Sequence, residues 1–181
     1  MNPFYLITAF LLTLQYGLNA QNTKSQDSLK SIDQLSFMQG SWEGSGWIMK
    51  GRERKEFVQH EIIKSRVDNT ILMIDGVGYD KESLNSERKI IHNAFGVISY
   101  NKELNSITML SFSTIGNKME NKITLVGEKQ LEWSFKDERG GIIRFREDFS
   151  KKGLWIENGD YSSDGVNWFP FFQMTLKKLD I

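Results

Sequence analysis

From Ser41 onward apolar and polar residues alternate with a period of two, and turn-forming residues interrupt the alternation roughly every ten to fifteen positions. The pattern predicts strands over Trp42 to Lys50, Lys55 to Val67, Thr70 to Tyr79, Lys89 to Asn101, Ser106 to Ile115, Lys118 to Val126, Gln130 to Asp137, Gly141 to Ser150, Leu154 to Ser162 and Asn167 to Lys178. The joints hold Asp68-Asn69, Asn101 to Asn105, Gly116-Asn117, Gly127-Glu128, Arg139-Gly140-Gly141, Lys152-Gly153 and Asp164-Gly165. Glycine, asparagine and aspartate are the residues that tight hairpins need, because they accept left-handed backbone angles or bond to their own turn. Ahead of the strands, Leu29, Ile32, Leu35, Phe37 and Met38 recur at helical spacing, with Asp27 or Ser28 as a cap and Gly40 as a stop. This predicts a short N-terminal helix that plugs one end of the sheet. No later segment has helical periodicity.

About ten antiparallel strands joined by short hairpins leave two open edges unless the sheet closes on itself, so the expected fold is all-β, a closed antiparallel up-and-down β-barrel. A barrel of that size has an interior wide enough for a small ligand. The glycines of Gly40-Ser-Trp42-Glu-Gly44-Ser-Gly46-Trp47 suit a sharply curved first strand, and the last hairpin, turning at Asp164-Gly165, is expected to close against it. A two-sheet sandwich is the main rival. A membrane barrel is not expected, because the chain has no aromatic girdles or clean lipid-facing stripes.

Composition narrows the function classes. Of the 181 residues 39% are hydrophobic, enough for a single sizeable core, and 23 basic residues balance 23 acidic ones. Zero net charge removes the electrostatic footprint of a nucleic-acid binder, so no nucleic-acid partner is expected. Residues 1–20 carry no charged side chain and include the apolar run Phe4 to Leu14, long enough for a signal-peptide core and short for a membrane span. Residues 1–20 therefore read as a signal peptide cut after Leu18-Asn19-Ala20, residues 21–28 as a flexible tail and residues 29–181 as one domain. The expectation is an exported protein, periplasmic or secreted, with no membrane span after signal removal. There is no cysteine, which excludes disulfides, thiolate metal sites and a Cys nucleophile.

Strand parity then nominates the interior. Lys55 to Val67 offers either Phe57, Gln59, Glu61 and Ile63, or Val58, His60, Ile62 and Lys64; the first set is favoured because it keeps Lys64 out of the core. Gly141 to Ser150 sets Ile143, Phe145, Glu147 and Phe149 against Ile142, Arg144, Arg146 and Asp148. Hydrophobicity buries the first set, whereas a wet cavity could instead take Arg144 as a bidentate anchor for a carboxylate or phosphate. Trp155 and Glu157 share a face, and a bulge at Gly159 would bring Asp160 onto it. Trp133 and Phe135 point inward together, and His92 can face the interior. The candidate ligand-binding residues are thus Gln59, Glu61, His92, Trp133, Arg144, Trp155, Glu157 and Asp160. No metal site is expected, since two histidines and scattered carboxylates lack ligand spacing.

The ordered set Gly40-Ser-Trp42-Glu-Gly44-Ser-Gly46, Gln59-His-Glu61, His92-Asn-Ala-Phe-Gly96-Val-Ile-Ser-Tyr100, Trp133-Ser-Phe135 and Trp155-Ile-Glu157 through Asp164-Gly165-Val-Asn-Trp168 resembles the uncharacterised, secreted lipocalin-like bacterial proteins of the calycin group. The resemblance spans about residues 36–178 and implies a calycin barrel with an internal cavity, without an agreed ligand. The Gly-Trp opening is also similar to the haem-binding nitrobindin barrels, which ligate iron through a late histidine. Here the only histidines are His60 and His92, so haem held in that mode is not expected and no cofactor is. The leading expectation is an exported barrel that binds a small apolar or amphipathic molecule. The alternatives are an enzyme with Glu61 or Glu157 as general base and His92 assisting, and a barrel filled by side chains that serves as a protein-interaction module.

Overall fold

A computed structural model describes residues 31–83, 88–114, 116, 118–138 and 140–180; the signal-peptide and tail assignments lie outside the described residues. Eleven antiparallel strands follow one another: β1 (Gly40–Lys50), β2 (Glu53–Arg66), β3 (Ile71–Asp80), β4 (Ile90–Asn101), β5 (Ser106–Ser113), β6 (Lys118–Lys122), β7 (Thr124–Gly127), β8 (Gln130–Lys136), β9 (Ile142–Asp148), β10 (Leu154–Ser162) and β11 (Phe169–Lys178). They form one sheet ordered β6-β5-β4-β3-β2-β1-β11-β10-β9-β8-β7. First and last strands pair along Trp42↔Lys178 to Ile48↔Phe172, as the closing hairpin implied.

The two ends of this sheet, β6 and β7, are separated only by Ile123. The expected strand Lys118 to Val126 is therefore a kinked pair. Its first half pairs with β5 and its second with β8, so the chain itself bridges the two edges of the barrel. The Ile123 side chain is buried at the kink, and its N–H donates to the Ile107 carbonyl at 3.0 Å. That break turns the expected ten strands into eleven.

The glycines of β1 permit its close contact with β11. A Cβ on Gly44 would stand 2.9 Å from Leu176 Cα, and one on Gly46 would stand 2.6 Å from Phe57 Cζ and 2.8 Å from Met174 Cβ. Any side chain there would push the first strand off the last.

The N-terminal helix is a 3-10 helix, Ile32–Met38, started by a Ser31 capping box with Gln34. It buries Ile32, Leu35 and Met38 against one end of the barrel, and Trp42 Nε1 ties it down by donating to the Met38 carbonyl at 2.9 Å. Beneath it Phe149 packs edge-on to Trp42 at 5.5 Å and stacks on Trp155 at 5.0 Å, so this end of the barrel is filled by aromatic rings. Because β1 leads away from the helix toward Lys50, the strand ends that carry Lys50, His92 and Phe135 belong to the opposite, open end.

Candidate functional site

Above the plug the barrel encloses a cavity of about 370 Å³. Gln59 and Glu61 of β2, His92 of β4, Trp133 of β8 and Trp155 and Glu157 of β10 all line it. Phe57, Gln59, Glu61 and Ile63 are the buried set on β2, which is the favoured parity. A barrel filled by side chains is the alternative this cavity speaks against.

Arg144 and Asp160 do not line the cavity. Asp160 pairs in register with Arg144, one residue out of phase with the inward Gly159 and Phe145, so both project from the outer face of the wall. Asp160 there accepts from Arg146 Nη2 at 2.6 Å and Arg144 Nη2 at 3.4 Å, and the Arg144 guanidinium lies 3.8 Å from the Trp168 ring centroid. The bulge expected at Gly159 falls instead on β11. Gly159 faces Phe172 and Asp160 faces Pro170, which leaves Phe171 as the extra residue. Both Phe171 and Phe172 consequently reach the cavity wall, and Asp160 keeps its outward phase.

The inward set on β9 adds a carboxyl that the candidate residues omitted. Glu147 lies between Phe145 and Phe149 on the buried parity and is 8% exposed. A carboxylate on an otherwise apolar face was the available signal. Glu61 and Glu157, each also 8% exposed, complete a group of three acids on one cavity wall system. Glu147 and Glu157 are direct cross-strand partners, so their Cβ atoms are about 5 Å apart by sheet geometry.

Each acid has limited support. Gln59 Nε2 donates to Glu61 Oε1 at 2.8 Å, and Trp133 Nε1 donates to Glu147 Oε1 at 2.9 Å. Glu61 Oε2, Glu147 Oε2 and the Trp155 Nε1 are buried without a hydrogen-bond partner. Among the described residues no salt bridge reaches any of the three acids. Burial, which disfavours the charged form, pushes Glu61 from 4.5 up to about 7, with Gln59 opposing and the charges of Glu147 and Asp75 adding to the rise. Burial likewise raises Glu147 to about 7 against the Trp133 bond. Glu157 is raised well above the ordinary range by burial and by the charges of Glu147 and Glu61.

Glycines make room for this arrangement. A Cβ on Gly76 would lie 2.5 and 2.6 Å from the two Glu61 oxygens, and one on Gly78 would lie 2.5 Å from Gln59 Oε1 and 3.1 Å from His92 Cβ. The rest of the wall is aromatic. Phe57 stacks on Phe172 at 5.6 Å and Trp133 stacks on Phe145 at 4.4 Å.

His92 and Lys50 line the open end and remain exposed. Partial desolvation of the imidazole where it faces the cavity lowers the His92 pKa, and among the described residues no hydrogen bond joins it to any of the three acids. The carboxylate-histidine pair that the enzyme alternative required is therefore not formed among the described residues. His60 lies on the opposite phase of β2, edge-on to Tyr79 and 3.8 Å from Glu43. Among the described residues no group of three His, Cys, Asp or Glu side chains is disposed to hold a metal ion, and no helix is long and apolar enough to cross a membrane.

No protein-family model matches the chain, and no curated protein does. Among solved structures the chain is similar to Rv2717c from M. tuberculosis, at 12% identity and a TM-score of 0.57, covering 85% of this chain and 100% of that one. It is also similar to the S-type phycobiliprotein lyase CPES from Guillardia theta, at 13% identity and a TM-score of 0.57, covering 83% of this chain and 93% of that one. Both are lipocalin-like barrels, and at such identities the likeness concerns the fold alone.

Proposed function

We propose that this protein is an exported binding protein that takes a small amphipathic molecule into its barrel. The observation that carries the reading is a cavity of about 370 Å³ in which buried carboxyl oxygens lack hydrogen-bond partners amid aromatic walls. Each such orphan costs about 1–3 kcal/mol, a burden that a ligand carrying the missing donors would lift. Affinity would come from desolvating an apolar body between Phe57, Phe172, Trp133 and Phe145, and orientation from Gln59, Glu61, Glu147 and Glu157. At the level of fold, the similarity to a phycobiliprotein lyase supports a barrel that handles a small molecule.

Native mass spectrometry of the protein purified from its own host, followed by solvent extraction, tests the reading. The expected result is an adduct that fits the cavity and leaves on extraction. Protein that carries nothing and binds no amphipathic probe would sink it. Export is tested on the same sample, since removal of residues 1–20 leaves Gln21 as the N-terminal residue. An uncut chain in the cytosolic fraction would refute it.

General acid-base catalysis is the second reading, favoured by Glu61 standing near pH 7 inside a cavity. It predicts that the extracted molecule is chemically altered over time when added back to the protein, and not when added to Glu61→Gln.

A further inference from the structure

We infer that the occupant of this cavity is an organic cation: an amine or amidine head on an apolar body, held by Glu61, Glu147 and Glu157. The inference rests on the binding reading above and specifies its ligand class.

The wall is acceptor-rich at its centre, and among the described residues no cationic side chain forms an ion pair with its acids. Glu61 and Glu147 each already accept one donor, from Gln59 and Trp133, and each keeps a second buried oxygen without a partner. The cationic residues nearest the cavity lie at its rim or outside it. Lys50 is exposed at the open end, and Arg144 and Arg146 are on the outer face with Asp160. What the second oxygens of Glu61 and Glu147 lack is a facing donor, and a protonated nitrogen with two or three N–H groups supplies both donors and charge.

A second observation, independent of the acids, also asks for a ligand. Trp155 is 4% exposed, lies on the same cavity wall, and its indole Nε1 has no partner. An acceptor such as a hydroxyl or ether oxygen on the ligand would satisfy it. The aromatic side chains Phe57, Trp133, Phe145 and Phe172 offer ring faces, which favour a cation over a neutral or anionic group of the same shape. A metal ion is the other cationic occupant to weigh, and the ligand disposition that it requires is absent among the described residues. An anionic ligand would stand against three carboxyls that pair with no basic side chain among the described residues, Lys50 and His92 lining the open end instead.

The test is a matched series on the purified full-length protein, following intrinsic tryptophan fluorescence and heat of binding: 2-naphthylmethylamine, 2-naphthylmethanol and 2-naphthoate, which share one apolar body and differ in the head group. The amine is expected to bind at least about tenfold tighter than the alcohol, with the carboxylate weakest. In the folded Glu147→Gln/Glu157→Gln double variant the preference for the amine should shrink to within about threefold while the alcohol is retained. Glu61→Gln, read the same way, guards against misfolding of the double variant. Equal binding of amine and alcohol, or preference for 2-naphthoate, overturns the cation inference and leaves the binding reading standing. Binding of none of the three by folded protein overturns both.

Discussion

Glu147 and Glu157 stand directly opposite one another on adjacent antiparallel strands, both turned into the barrel and both 8% exposed. Like charges at a cross-strand pair repel, and burial strengthens the repulsion, so the folded state holds protons that the unfolded chain has released. The sign of the pH dependence follows. Between about pH 4.5 and 7 the folded protein binds more protons than the unfolded chain, and stability must fall as pH rises through that window. For Glu61 alone a rise from 4.5 to about 7 corresponds to about 3 kcal/mol lost across it. Urea unfolding at about pH 5 and about pH 8 should show the lower midpoint at the higher pH, and Glu157→Gln should raise the unfolding free energy at pH 8 by about 1–3 kcal/mol. A midpoint that climbs with pH would show that the acids are stabilised by partners absent from this arrangement.

Period-two alternation made the barrel legible, because sheet faces leave a direct trace in sequence. The kink at Ile123 was not legible, since it arises from one strand being shared between β5 and β8, a non-local requirement. Parity placed Gln59, Glu61, Trp133, Trp155 and Glu157 on the cavity wall, and His92 at its open end. It failed for Asp160 because the bulge occurred on the partner strand, at Phe171, where the alternation of Phe169 to Phe172 is masked by a run of aromatic residues and a proline. Arg144 followed the ordinary rule for its face, and Glu147 was hidden by being the one acid in a set expected to form a core.

Trp133 links the aromatic wall to the acids. Its ring lies 4.4 Å from that of Phe145 and its Nε1 donates to Glu147. Trp133→Phe keeps most of the stack and removes the donor that holds the Glu147 pKa down. The expected loss is about 1.5–3 kcal/mol where Glu147 is charged and less where it is protonated. Denaturation at about pH 8 and about pH 5 separates the two. An equal loss at both would mean that ring packing, and not the bond to Glu147, is what Trp133 contributes.

Gly76 is the floor on which the Glu61 carboxyl rests. Gly76→Ala places a methyl about 2.5 Å from both Glu61 oxygens, so the side chain must swing away from Gln59 or the strand must shift. A destabilisation of about 1–3 kcal/mol is expected, with weakened uptake of 2-naphthylmethylamine. Gly96→Ala is the comparison, since its Cβ would stop 3.5 Å from Ile74, an ordinary contact, and should cost less than about 1 kcal/mol. Equal tolerance of both substitutions in thermal melts would show that Glu61 is not confined as described.

Asp160 separates the outer wall from the cavity. It is 6% exposed and ties Arg146 and Arg144 to β10, while Arg144 in turn lies over Trp168 beyond the β10 to β11 turn. Removing the acid leaves the half-buried Arg144, whose Nε lacks a hydrogen-bond partner, with only the more distant Glu132 carboxylate, 4.0 Å from that Nε, to balance its charge. Arg146 is half exposed and can turn to water, so the loss stays below that of a fully buried pair: about 1–3 kcal/mol for Asp160→Ala. In a domain of this size that is a fall in Tm of roughly 2–10 °C by scanning calorimetry. Because Asp160 points away from the cavity, affinity for 2-naphthylmethylamine should change less than about twofold in the folded variant. A variant as stable as the parent that binds the probe tenfold more weakly would place Asp160 inside the binding site and reverse the assignment of its face.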